Sequence, residues 1–584
     1  MTTSTDGPAP GQTEQPTPVG RDQGAAPVSG HGGNQAVAAA QAHGISTMFT
    51  LSGAHVFPLY DAAVGGAAAV AAAGDPRTAE RQGPVRLVDV RHEQTAVFAA
   101  EAMGKLTRTP GLAVLTAGPG VTNGISAVTS AQLNGSPLLV IGGRAPNYRW
   151  GSGALQELDQ PPLLAPVTKA ASTVHAAAEI GSAVDSALTL AAAPHRGPVF
   201  LDIPMDVLFT FGQSPAPSGA HAAPIAPDSD DLTKIGQLLA DSAHPVLIIG
   251  GDVWMDGAAK AARRFAEETG VPVIANGMGR GVLPAGHPQL VTRARSQAFG
   301  QADLVIVAGT PLDFRLGYGV FGGKGAPPAK VVHLADSPEQ VAGHATLAGS
   351  AAGDLTAVFD GILAAMPKRP DVSEWTSTLA QTAAAAVAKD APDLASDSDP
   401  IHPARIYGEL VPRLADDAVV IGDGGDFVSY AGRFVEPKSP GGWLDPGPYG
   451  CLGTGMGYAM AARLARPSAQ VVVMMGDGAA GFSLMDVDSL VRHDLPVVMV
   501  VGNNAGWALE KGPMKMMYGY DVIADLRPTH YDEVVKALGG AGETVTNPAD
   551  IGPALDRAFA AGVPYLVNVM TDPAIAYPRS TTGV

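Results

Sequence analysis

The chain has 584 residues, 46% of them hydrophobic and only 16% charged, with 72 glycines and 49 prolines, which excludes a disordered protein and leaves room for roughly three or four domains. A formal net charge of -18 disfavours nucleic acid as a partner, since phosphate contacts need a basic face, and requires any anionic ligand to be met by metal, helix N-termini or a few placed arginines. The single cysteine, Cys451, excludes an intramolecular disulfide framework and a cysteine-rich zinc site, so a reducing, cytoplasmic location is expected.

Residues 1–33 are rich in Thr, Pro, Gly, Gln and Ala, with almost no large apolar side chain, and are expected to form a disordered tail. They lack the basic start and apolar core of a signal peptide, and Ala62 to Ala73 is too short and glycine-broken to span a bilayer, so no membrane segment is expected. From 34 to 212, strands such as Leu87-Val-Asp-Val and Ala113-Val-Leu-Thr alternate with alanine-rich helices. In this stretch a strand gives way to a helix at Glu93, and Gly118-Pro119-Gly120 forms a turn that brings backbone close to a planar ligand. Residues 213–229 read as a linker, 230–366 as a second α/β unit, 367–400 as helix plus linker, and 401–584 as a third α/β unit. No fixed-period repeat is visible.

The third unit carries the most informative pattern. Val471-Val-Val-Met-Met-Gly476-Asp477-Gly478 and Pro496-Val-Val-Met-Val-Val-Gly-Asn503-Asn504 read as adjacent buried parallel strands, each ending in a turn. Between them, Leu484, Val487 and Leu490 share one face of a helix, so the segment is one β-α-β crossover with its ligand at the strand ends. Gly476 and Gly478 let backbone approach a phosphate, and Asp477 and Asn504 offer hard oxygen ligands to Mg2+ or Ca2+. The chemistry read from these residues is a metal-bridged diphosphate.

Gly-Asp-Gly, 24 residues and Asn-Asn together resemble the cofactor motif of thiamine diphosphate (ThDP) enzymes. The resemblance implies three doubly wound parallel-sheet α/β domains: pyrimidine-binding, middle nucleotide-binding and diphosphate-binding. It implies ThDP and Mg2+ as cofactors, with Asp477, Asn504 and the Gly506 carbonyl holding the metal, and Glu93 bonding the aminopyrimidine. Gly118, Pro119 and Gly120 are then expected near the aminopyrimidine, Leu452 under the thiazolium, Gln156 along the substrate and His55 on a cofactor-facing loop. The family's shared sites imply a homodimer or homotetramer.

Within the family, the chain is similar to the branch of acetolactate synthases, oxalyl-CoA decarboxylases and 2-hydroxyacyl-CoA lyases. The synthases follow the double asparagine with a methionine-valine-x-glutamine-tryptophan block, whereas this chain has Ala505-Gly506-Trp507-Ala-Leu-Glu510. The middle unit resembles that of the CoA-using members, which implies Arg280, Arg295 and Asp336 on CoA or ADP; a flavin is the poorer fit. Glu510, six residues beyond Asn504, is expected to act as general acid and base. The expected reaction is therefore cleavage of a short 2-hydroxyacyl-CoA, such as 2-hydroxyisobutyryl-CoA, to a ketone or aldehyde and formyl-CoA. The alternatives are an acetolactate synthase joining two pyruvates and a non-catalytic regulatory subunit, against which intact Glu93, Asp477 and Asn504 argue. Leu566 to Val584 either fold over a CoA site or hang free.

Overall fold

The computed structural model describes residues 26–323 and 327–577. Three parallel sheets, one per predicted α/β unit, organise it. The first has six strands in the spatial order Arg86–Asp89, Thr47–Thr50, Gly111–Leu115, Leu138–Arg144, Pro198–Pro204 and Ala170–Thr173, all parallel. The third repeats this order with Trp443–Leu444, Val419–Asp423, Val471–Gly476, Val498–Asn503, Tyr565–Met570 and Ala541–Val545. In both, the chain starts inside the sheet, steps to one edge and then returns across its starting strand. In sheets of this kind the ligand-binding crevice lies where the order reverses, outside the C-terminal strand ends. The central strands are continuous apolar runs because helices cover both faces, leaving no water-facing side to alternate toward.

The middle sheet has five parallel strands, ordered Val273–Ala275, Pro245–Ile249, Leu304–Ala308, Lys330–Ala335 and Gly349–Ala352. The helix Ser373–Leu394 follows it and ties two domains together. Trp375 Nε1 donates to the Pro245 carbonyl of the middle sheet, and Asp390 pairs with Arg433 of the third domain. The first and third domains meet through the helices Glu93–Thr107 and Gly455–Ala465. At their crossing a Cβ on Gly457 would lie 2.8–2.9 Å from Thr95 O, Ala99 N and Phe98 Cβ, so only glycine allows this approach.

Three sequence boundaries are corrected. Val28–His31 is a strand, paired antiparallel with Phe211–Ser214, and a helix begins at Gly32, so residues 28–33 belong to the first domain; residues 1–25 lie outside the described residues. The same pairing takes Gln213 and Ser214 out of the linker, which ends where Asp228 caps the helix Ser229–Ala240. Leu566 to Met570 form an inner strand of the third sheet and do not hang free; residues 578–584 lie outside the described residues. Among the described residues, no single helix is long and apolar enough to cross a membrane.

Candidate active site

In the first domain, the residues singled out by sequence converge on the strand ends. Glu93 starts its helix, 8% exposed, and its Oε2 accepts from Asn123 Nδ2 at 3.0 Å. A Cβ on Gly120 would lie 2.7 Å from Thr116 Cγ2 and 3.8 Å from Glu93 Oε1, which puts the glycine turn beside the carboxylate. Gly118 has φ +60°, and Gln156, itself at φ +59°, folds back onto it: a Cβ on Gly118 would meet Gln156 atoms at 3.0–3.2 Å. His55 is buried, with Nδ1 3.2 Å from Thr116 Oγ1, and burial lowers its pKa so that the ring stays neutral.

Two residues with no assigned role in the sequence reading hold this half in place. Asn123 fixes the Glu93 carboxylate. Gln160, fully buried, accepts from Gly118 N at 2.9 Å and donates to Gly143 O at 2.9 Å and Asp202 Oδ2 at 3.1 Å. Asn123 shows in the sequence only as a polar side chain just after the glycine turn, and Gln160, 42 residues from Gly118, has no local signal at all.

In the third domain, Asp477 is 2% exposed. Its Oδ1 accepts from Gly478 N and its Oδ2 from Gly506 N, each at 3.0 Å, while burial pushes its pKa up to about 6. The two asparagines behave differently. Asn503 donates to Thr529 O at 2.9 Å and Asn568 Oδ1 at 3.1 Å and accepts from Ala505 N, so it shapes the turn. Asn504 is 5% exposed and its Oδ1 has no hydrogen-bond partner among the described residues. A buried amide oxygen left bare beside a dry carboxylate is a donor set for a hard cation. No Cβ on Gly476 would meet anything, so backbone is open to a ligand there. Tyr531 Oη donates to the Asp477 carbonyl at 3.0 Å.

The Leu452 loop is pinned by a residue that sequence reasoning passed over. Asp423, fully buried at its strand end, accepts from Gly453 N at 2.9 Å with one oxygen and from Gly455 N at 2.8 Å with the other. Leu452 then reaches back over Gly424, at φ +71°, where any Cβ would strike its Cδ2. Asp426, also passed over, is buried with one oxygen unpartnered among the described residues, and its charge helps raise the pKa of Asp477.

Trp507 lies over the first turn of the Asp477–Ser483 helix, and one turn beyond it Glu510 stands exposed at the start of the helix Ala508–Tyr518. Lys511 pairs with Asp525 at 2.7 Å and leaves Glu510 without an ion pair among the described residues.

The three residues expected on CoA or ADP are engaged elsewhere. Arg280 donates to Gly432 O at 2.8 Å and Val435 O at 3.2 Å and stacks on Trp443, so it fastens the middle domain to the third. Arg295 donates to the Arg315 carbonyl and covers Phe299. Asp336 is 1% exposed and sits 3.0 Å from His195 Nδ1, with Arg196 at 3.7 Å. Arg280 and Asp336 looked available in sequence because their partners lie more than a hundred residues away. A cavity of about 260 Å3 does open at the strand ends of the middle sheet, but Gly251, Asn276, Gly309, Thr310, Arg315 and His195 line it instead.

Three family models match the chain: "Thiamine pyrophosphate enzyme, N-terminal TPP binding domain" over residues 31–163, the central domain over 232–362 and the C-terminal TPP binding domain over 423–569. A "Probable acetolactate synthase" of Mycobacterium bovis is 48% identical over 94% of this chain and 97% of its own length. A "2-hydroxyacyl-CoA lyase 2" of Caenorhabditis elegans is 34% identical over 91% of this chain and 87% of its own length, and one of Homo sapiens is 32% identical over 88% and 84%.

Proposed function

This chain belongs to the thiamine pyrophosphate enzyme family, and from that premise we propose that it is a Mg2+-requiring carbon-carbon lyase that cleaves a short 2-hydroxyacyl-CoA to a ketone or aldehyde and formyl-CoA. The observation that carries the reading is Glu510, a carboxylate free of ion pairs among the described residues one helical turn beyond Trp507, in a segment without the synthase block. ThDP, when bound, supplies a nucleophilic thiazolium carbon and a ring that stores the electrons of the breaking bond.

The chain's own residues supply the rest. Asp477 and Asn504 Oδ1, with the Gly506 carbonyl, would hold the metal, and the bare amide oxygen is what supports this assignment. Glu93, braced by Asn123, holds and returns a proton at the aminopyrimidine. Neutral His55 and Gln156 border the substrate space without adding charge. Glu510 takes the proton from the 2-hydroxyl as the bond breaks and returns one to the one-carbon fragment. The enzyme works as a homo-oligomer in the cytoplasm, its sites shared between subunits.

A second reading, acetolactate synthesis from two pyruvates, is favoured by a different observation, the 48% identity to a relative of that name. The test is a paired assay on one preparation loaded with ThDP and Mg2+, following 2-hydroxyisobutyryl-CoA for formyl-CoA and pyruvate for acetolactate. Formyl-CoA without acetolactate supports the lyase. Acetolactate without thioester cleavage overturns it in favour of the second reading.

A further inference from the structure

Glu93 is the first residue of its helix, so its direction depends on the incoming turn at Arg91 and on the first helical turn at Thr95. Both are held by a single carboxylate from the third domain. Asp486 Oδ1 accepts from Arg91 N at 2.7 Å, and its Oδ2 accepts from Thr95 Oγ1 at 2.6 Å. Ser489 Oγ, at 3.2 Å from Oδ1, holds the carboxylate in turn. Asp486 is 2% exposed and ends the short 3-10 turn that follows the Asp477–Ser483 helix.

Docking the two domains does not require a buried charge at this point. The Glu93–Thr107 and Gly455–Ala465 helices already pack through Gly457, and Arg492, His493 and Asp89 pair around the rim. An isolated buried carboxylate is costly, and among the described residues its hydrogen bonds run to the Glu93 turn and to Ser489, with nearby His92 also favouring the charge. Its distinguishing consequence is orientation, because the bonds fall two residues before and two residues after Glu93.

We propose that Asp486 is a positioning residue for Glu93, fixing the Arg91-to-Thr95 turn so that the Glu93 carboxylate meets the cofactor's aminopyrimidine. The proposal rests on the reading of Glu93 given above. It is tested on full-length protein loaded with ThDP and Mg2+, without substrate, by the rate at which the thiazolium C2 proton of bound ThDP exchanges with deuterium, read by acid quench and proton NMR. Cofactor affinity and melting temperature are measured alongside.

Asp486→Ala is expected to slow exchange roughly 10- to 100-fold while ThDP affinity changes less than about 3-fold. Asp486→Asn is expected to restore most of the rate, because its amide oxygen can accept from Arg91 N while its NH2 donates to Thr95 Oγ1. Thr95→Val, which removes one bond and keeps the volume, reads the same effect at roughly 3- to 10-fold if the alanine variant does not fold. Glu93→Gln is the reference. Slow exchange in Glu93→Gln with wild-type exchange in Asp486→Ala or Thr95→Val overturns the proposal; wild-type exchange in Glu93→Gln overturns the reading of Glu93 beneath it.

Discussion

Gly478→Ala tests the packing of the diphosphate end of the site. Gly478 has an ordinary negative φ, so alanine is not strained there by backbone; the obstacle is Trp507, whose Cη2 and Cε3 would lie 2.6 and 2.7 Å from the new Cβ. The indole is rigid and its backbone is tethered, since Trp507 N donates to Ala524 O at 2.8 Å and the preceding Gly506 N donates to Asp477 Oδ2 at 3.0 Å. Relief therefore pulls on Gly506, whose carbonyl is assigned to the metal. Overpacking of this kind costs about 1–3 kcal/mol. If it falls on the liganded state, Mg2+-dependent ThDP affinity drops roughly 5- to 150-fold. Calorimetric titration of ThDP into the wild type, Gly478→Ala, Trp507→Ala and the double variant measures it. The expected result is a double variant that binds better than the sum of the two single losses, with a coupling of about 1 kcal/mol or more. Strict additivity, or a Gly478→Ala protein that binds as the wild type does, would refute the reasoning.

Other consequences follow from the same geometry. Glu93→Gln is expected to lower turnover roughly 10^2- to 10^4-fold with cofactor affinity nearly unchanged, measured by steady-state kinetics at saturating ThDP. Arg280→Ala should lower stability by about 1–3 kcal/mol in denaturant unfolding, because it leaves two carbonyls of the third domain unpaired, and should leave the KM for a CoA substrate unchanged. The junction of the first and middle domains should weaken as pH rises. Burial pushes Asp252 up to about 7 and raises Asp256, and His195 is raised because Asp252 and Asp336 outweigh its burial. A folded value above the unfolded one means that the Asp252 contribution is present in acid and lost between 3.8 and about 7, while that of His195 is lost only as pH rises above 6.5. Arg196 faces the same cluster, and Lys169, lowered by burial to about 8, opposes the trend only above that value. Melting temperature followed from acid to neutral pH should fall less steeply in Asp252→Asn than in the wild type.

Much of the fold was legible because its signals are local and dense. The apolar runs before Asp477 and Asn504 could only be buried parallel strands, and the spacing between them required one crossover, as the structure has it. Glu93 and the Gly118 turn were readable as residues at strand ends, whereas His55 and Gln156 came only with the family resemblance; the structure places Gly120 beside Glu93, Gln156 against Gly118 and His55 against Thr116. What escaped were partnerships across long sequence separations. Nothing near Asp336 predicts His195 and Arg196, nothing near Arg280 predicts Gly432, and nothing near Glu93 predicts Asp486. Short edge elements escaped for the opposite reason. Val28–His31 has too few apolar residues to read as a strand until Phe211–Ser214 pairs with it.

The most direct test of the metal-diphosphate clamp is calorimetric binding of ThDP to the metal-free protein with and without Mg2+, repeated on Asp477→Ala and Asn504→Ala. The account expects binding that requires Mg2+ and falls at least roughly 100-fold in Asp477→Ala, about 2.7 kcal/mol, with a smaller loss in Asn504→Ala. ThDP binding of equal strength in a chelator, or undiminished in both variants, would contradict it.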